Sequence, residues 1–161
     1  MKETLKNTVG ITFIIAAASI FSYILTIEQV PAMLTNLFLD NVHNRYLALL
    51  LINLILLVVG MFMETMASLT VLTPILLPVA VSFGVHPVHF GIIMILNLMI
   101  GLLTPPVGTV LYVLAGLSDV SFEKIAKAIL PYVGVLMVVL LILTFVPELV
   151  LFLPRLMGMA V

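Results

Sequence analysis

The sequence contains no cysteine. That excludes a disulfide framework, a thiol nucleophile and a thiolate-held metal. Charge is nearly as scarce. Six Lys or Arg and seven Asp or Glu are spread over 161 residues, for a net charge of −1. Only 8% of the chain is charged and 64% is hydrophobic, whereas ordinary chains are about a quarter charged. No basic run is present, so no nucleic-acid partner is indicated. No nucleophile–base pair or metal-ligand cluster stands out, so the chain does not read as an enzyme. With a mean hydropathy of +1.41 and long apolar runs, it reads as an all-α membrane protein, with the lipid bilayer as solvent.

The chain divides by its breaks in apolar character. Residues 1–30 hold a first span, apolar from Val9 to Ile27. That run extends about 28 Å as a helix, one bilayer crossing. It is too long for a signal-peptide core and reads as retained. Thr12, Ser19 and Ser22 within it suit back-bonding or helix packing better than ligation. Residues 31–45 mix apolar side chains with Thr35, Asn36, Asp40 and Asn41, the pattern of a short amphipathic helix at the interface.

Residues 46–83 form two apolar arms on either side of Gly60-Met61-Phe62-Met63-Glu64-Thr65-Met66-Ala67-Ser68. Each arm is at the short end for a full crossing, and no Lys or Arg marks the turn. A re-entrant helical hairpin fits these features better than two crossings. Glu64 is the only acidic residue between Asp40 and Asp119. A carboxylate at such a tip is a functional candidate. It either ligates a cation or caps the second arm, where Glu64, Thr65 and Ser68 stand at a helix start. His86 and His89 lie beside Gly84 and Pro87 and read as interfacial loop residues.

Residues 89–118 read as one transmembrane helix broken at its centre. Thr104-Pro105-Pro106-Val107-Gly108-Thr109 interrupts an otherwise apolar run. Each proline removes a backbone donor, and Pro105 drives Thr104 out of helical geometry. Carbonyls are freed on the first half and N–H groups on the second. At membrane depth such groups must be buried in protein or line a cavity. Transporters use these broken helices to bind ions and anionic substrates. Asn97, about two turns before the break, is an interhelical hydrogen-bonder or a contributor to the site. Residues 121–129 suggest an amphipathic linker helix capped by Ser121, and residues 131–153 a last span.

Lys and Arg placement puts Lys2, Lys6, Lys124 and Lys127 inside, with Arg45 and Arg155 outside. The two interruptions, Gly60 to Ser68 and Thr104 to Thr109, then share one depth. Both offer glycine, hydroxyls and free carbonyls, which suit Na+. Half-helix N-termini suit a carboxylate. A hairpin beside a broken helix is one half of an inverted-repeat transporter.

Four stretches are similar to the large membrane subunit (M, or DctM-like) of TRAP transporters. They are Gly60 to Ala67, Leu72 to Ala80, Gly84 to Gly91 and Asn97 to Thr109. The resemblance covers essentially the whole chain but only the C-terminal part of that subunit. It implies Na+-driven uptake of C4-dicarboxylates, sialic acid or other organic acids across a bacterial inner membrane by an elevator-type movement. It implies two partners, a periplasmic substrate-binding protein and a small membrane subunit, with no cofactor beyond the coupling ion. The first repeat of the large subunit would have to be supplied separately. The candidate substrate and ion pathway comprises Gly60, Met61, Glu64, Thr65, Ser68, Asn97, Thr104, Pro105, Pro106, Gly108 and Thr109, of which the resemblance implies Na+ ligation by backbone around Gly60 to Glu64 and by Thr104, Gly108 and Thr109. Na+ falls near Gly60, Glu64, Thr104, Gly108 and Thr109. The alternatives are a piece of another Na+/anion symporter, or a truncated accessory membrane protein that does not transport.

Overall fold

The computed structural model describes residues 9, 16, 20, 23–25, 27–105, 108–118 and 120–159, with Thr109 by its backbone alone. Most of the expected first span, including Thr12, Ser19 and Ser22, lies outside these residues, as do Pro106 and Asp119. The described part is all-α, with no strand. Its helices are α1 (Val30–Asn41), α2 (Arg45–Phe62), α3 (Thr65–Ser82), α4 (Pro87–Leu102), α5 (Thr109–Leu117), α6 (Phe122–Phe145) and α7 (Pro147–Leu156).

Local chemistry sets most of these boundaries. Asn44 caps α2, its side chain accepting from the Tyr46 amide at 2.9 Å, which satisfies one open donor of the first turn. Glu64 does the same for α3. His86 caps α4 through Nδ1, and Pro87 takes the first helical position, where its missing N–H costs nothing. Between α3 and α4 the chain turns at Gly84, whose φ of +74° lies in the left-handed region open to glycine.

Among the described residues, three helices are long and apolar enough to cross a membrane: α2, α3 and α6. The 18 residues of α2 and of α3 each extend about 27 Å. Pro74 and Pro78 both lie inside α3, which stays helical through them. Many large apolar side chains face outward, among them Leu54, Val113, Leu117 and Tyr132, as expected where lipid or other membrane helices replace water.

The chain folds back at each end of α3, so α2 and α4 run in the same direction. Their contacts keep that order: Asn53 meets Asn97 and Gly60 meets Gly101. Leu49, Ile52 and Leu56 of α2 share a buried core with Phe90, Met94 and Leu98 of α4, and α3 adds Leu76 and Val79. A second core joins Ile93 and Ile100 to Val133 and Leu140 of α6.

The C-terminal region departs from the sequence reading. The linker helix expected over 121–129 and the span expected over 131–153 are one helix, α6, which passes through Pro131 without a break and ends at Phe145. Pro131 removes one backbone donor, and the helix continues on its remaining bonds. The real interruption is Val146, at φ −119° and ψ 78°. It precedes Pro147, which disfavours helical geometry at that position. Ser121 occupies the N-cap position of α6, but its side chain makes no capping hydrogen bond.

Candidate functional site

The site is built where α2 and α4 end side by side. Gly60 and Gly101 are in backbone contact there. A Cβ on Gly101 would stand 2.6 Å from the Gly60 carbonyl carbon and 2.7 Å from its Cα. A Cβ on Gly60 would stand 2.9 Å from the Leu98 oxygen. Any side chain would push the helices apart; small residues at such crossings let membrane helices approach closely. α2 stops at Phe62 and α4 at Leu102, so both negative helix ends face the same way.

The chain beyond α4 folds back on itself. The Thr104 amide donates to the Gly101 carbonyl at 2.9 Å, and its hydroxyl donates to the Ile100 carbonyl at 2.7 Å. With its proton used, the Thr104 hydroxyl can offer only lone pairs to anything else. Pro105 follows, and Gly108 caps α5 with φ 52° and ψ 72°. A Cβ on Gly108 would stand 3.2 Å from the Thr104 carbonyl oxygen and 3.0 Å from Leu111 Cδ1. Two constraints, torsion and space, thus favour glycine there. Among the described residues, no side chain caps the N-terminus of α5.

On the hairpin side, Glu64 Oε2 accepts from the amides of Met66 at 2.8 Å and Ala67 at 3.1 Å. The carboxylate therefore occupies the positive end of α3. Behind it, the hydroxyls of Thr65 and Ser68 are buried with no partner among the described residues. A dry, unpaired hydroxyl is costly, and both stand within the first turn or so of α3. Gly60 and Met61 belong to the last turn of α2.

Asn97 lies elsewhere. It is fully buried, and its Nδ2 donates to the Asn53 carbonyl at 2.9 Å and to Asn53 Oδ1 at 3.0 Å. Its side chain thus points into the α2–α4 seam, about two turns before the break. Of the two readings open in the sequence, interhelical hydrogen bonding is the one its contacts display. His89 also departs from its reading as a loop residue. It sits in the first turn of α4, fully buried, with Nε2 donating to the Leu143 carbonyl at 2.8 Å. Asn53, Thr144 and His89 were not singled out as site-building residues. The signal available was a polar side chain inside each of three apolar runs. No group of three or more His, Cys, Asp or Glu that could hold a metal occurs among the described residues.

This arrangement defines an all-α membrane protein with a helical hairpin packed on a discontinuous helix. The family model described as "Tripartite ATP-independent periplasmic transporter, DctM component" matches residues 1–149, and the chain belongs to that family. It is 42% identical over 156 residues to the sialic acid TRAP transporter large permease protein SiaM of Vibrio cholerae, covering 97% of this chain and 36% of that protein. It is 41% identical over 152 residues to the C4-dicarboxylate TRAP transporter large permease protein DctM of the same organism, covering 94% of this chain and 34% of that one. The isethionate TRAP transporter permease protein DctMQ of Oleidesulfovibrio alaskensis is 44% identical over 150 residues, covering 93% of this chain and 24% of that protein. The chain thus spans between a quarter and just over a third of the length of these relatives.

Proposed function

We propose that this chain forms the C-terminal repeat of the large permease subunit of a TRAP-type transporter. The transporter takes up organic acids across a bacterial inner membrane, coupled to Na+, with a periplasmic substrate-binding protein and a small membrane subunit. The hairpin α2–α3 is re-entrant in this reading, with its tip at the depth of the break after α4. The first repeat of the large subunit supplies the other half of the cavity.

One observation carries the reading: α2 and α4 end together at the Gly60–Gly101 contact. Each helix C-terminus carries roughly half a negative charge. Two of them side by side attract a monovalent cation without a carboxylate. In this reading the ion's oxygen ligands are carbonyls after Gly60, the Thr104 hydroxyl and the backbone at Gly108. The substrate carboxylate goes to the other polarity. Glu64 already occupies the N-terminus of α3, so in this reading the substrate anion goes to the N-terminus of α5 at Gly108 and Thr109. In this reading Thr65 and Ser68, whose buried hydroxyls have no partner among the described residues, bind substrate or ordered water near the tip. The relatives are named for sialic acid, C4-dicarboxylate and isethionate, all organic acids or their anions.

The test is uptake of labelled organic acids into proteoliposomes. These hold the large subunit carrying this sequence, with the small subunit and the binding protein. Uptake should require Na+, and Thr104→Ala should weaken Na+ activation more than it lowers the amount of inserted protein. Na+ activation unchanged in Thr104→Ala would remove Thr104 from the site. Uptake indifferent to Na+ in the unmodified protein would overturn the coupling.

A further inference from the structure

We infer that Asn53, Asn97 and Thr144 are positioning residues: a buried hydrogen-bonded clasp that sets the alignment of the two helix ends without touching the ion. The inference rests on the Na+ site proposed above.

The three side chains come from three helices, α2, α4 and α6, and all are buried. Their hydrogen bonds run in one direction. The Thr144 hydroxyl donates to the Leu140 carbonyl at 2.7 Å, so its proton is used and it can only accept. Asn53 must therefore turn its Nδ2 to Thr144, at 3.0 Å. That leaves Asn53 Oδ1 facing Asn97, which must present its own Nδ2, at 3.0 Å. One back-bonded threonine thus orients both amides. The chain is open at its far end. Asn97 Oδ1 has no partner among the described residues, beside a cavity of about 130 Å³ that Asn53 and Asn97 line together with Leu54, Leu57 and Leu140.

The place of this clasp gives it a role beyond holding helices together. α2 and α4 run in parallel and touch again at Gly60 and Gly101, nearer their C-termini. A steric contact alone fixes how closely two helices approach, but it leaves sliding and rotation weakly determined. A directional polar contact, two turns earlier on α2 and about one turn earlier on α4, adds a second fixed point that restricts both. The pair then fixes where each set of terminal carbonyls stands relative to the other. α6 is the third leg, and it is tied twice at adjacent residues. The Thr144 hydroxyl holds Asn53, and the Leu143 carbonyl accepts from His89 of α4. Loosening the clasp should therefore change how well the two ends converge on a cation, even though Asn97 lies about 10 Å up the helix from Thr104.

The experiment measures the half-saturating Na+ concentration and the maximal uptake rate of the complete reconstituted transporter. Thr144→Val keeps the shape of the side chain and removes the acceptor for Asn53. It should raise half-saturating Na+ by about threefold, the effect of losing one membrane hydrogen bond of average strength. The rate at saturating Na+ should be kept. Thr144→Ser retains the hydroxyl and should restore the unmodified value, which loss of packing alone would not predict. Should Thr144→Val fail to insert, Asn97→Leu gives the second reading and should shift Na+ at least as far. A Na+-dependent wild type with unmoved half-saturation in the variant overturns the clasp alone. A wild type indifferent to Na+ overturns the Na+ site, and the clasp's role falls with it.

Discussion

Replacing Gly101 with alanine tests the central contact of the fold. The new methyl would stand 2.6 Å from one Gly60 backbone atom, 2.7 Å from another and 3.0 Å from the Leu57 oxygen. All three are backbone, so no side chain can rotate away. Carbon atoms pack best at about 3.5–4.0 Å, so α2 and α4 must part by about 1 Å locally. A gap of that size forfeits about a quarter to a half of the dispersion attraction between facing atoms. Overpacking in a well-fitted core costs about 1–3 kcal/mol, and rigid neighbours place Gly101→Ala at the upper end. Gly60→Ala is milder, with its nearest atom at 2.9 Å. Gly91, in the same helix as Gly101, has nothing within 4 Å of a built Cβ. Alanine there removes a helix-weakening glycine, a gain of up to about 1 kcal/mol. The assay is the apparent unfolding temperature of the detergent-solubilised transporter. The expected order is Gly101→Ala lowest, then Gly60→Ala, then wild type, with Gly91→Ala at or above wild type. Gly101→Ala as stable as Gly91→Ala would refute the close approach.

Three further outcomes follow from the local geometry. Glu64→Ala removes the side-chain acceptor for the Met66 and Ala67 amides, costing about 1 kcal/mol of helix stability. Hydrogen exchange should accelerate at those amides and at few others; unchanged protection would mean that Glu64 does not cap α3. His89→Leu leaves the Leu143 carbonyl without its donor and should destabilise the protein by about 1–3 kcal/mol. His89→Gln, which keeps a donor, should recover part of that loss in the same melting assay, and equal losses in the two variants would count against the bond. Gly108→Ala forces a Cβ into a left-handed position, at a cost of about 1–2 kcal/mol. Na+ and substrate half-saturation should both rise, since the loop joins the two half-helices, and an unaltered transporter would show that the loop relaxes freely.

Elements marked by backbone chemistry were legible in the sequence. The Thr104 to Thr109 run announces its break because proline cannot donate and glycine can take φ values that other residues avoid. The Gly60 to Ser68 tip was visible as the place where apolar character lapses, and Glu64 stood where a cap would stand. Contacts that depend on register between distant segments were not legible. Nothing in the α4 sequence says that Asn97 meets Asn53 rather than the break, or that His89 reaches the Leu143 carbonyl. Gly60 and Gly101 were each noticeable, but their meeting depends on how two parallel helices cross. Pro131 misled for a different reason. Proline in a helix interior normally breaks or kinks it, but here the helix continues through Pro131 from Phe122 to Phe145. The stop is at Val146, where the pre-proline restriction and a fresh helix start at Pro147 act together.

The two connections inside α2–α3–α4 are very short: Met63 and Glu64 at one end, residues 83–86 at the other. Each helix therefore packs on a neighbour only recently synthesised. Contacts this local form early, because little chain entropy must be lost to close them. The zigzag can assemble as one unit during insertion, before α6 has left the ribosome. On that order of events, the Asn53 amide waits inside the membrane for Thr144. α6 then docks last, because the Asn53–Thr144 bond closes 91 residues of chain against 44 for Asn53–Asn97.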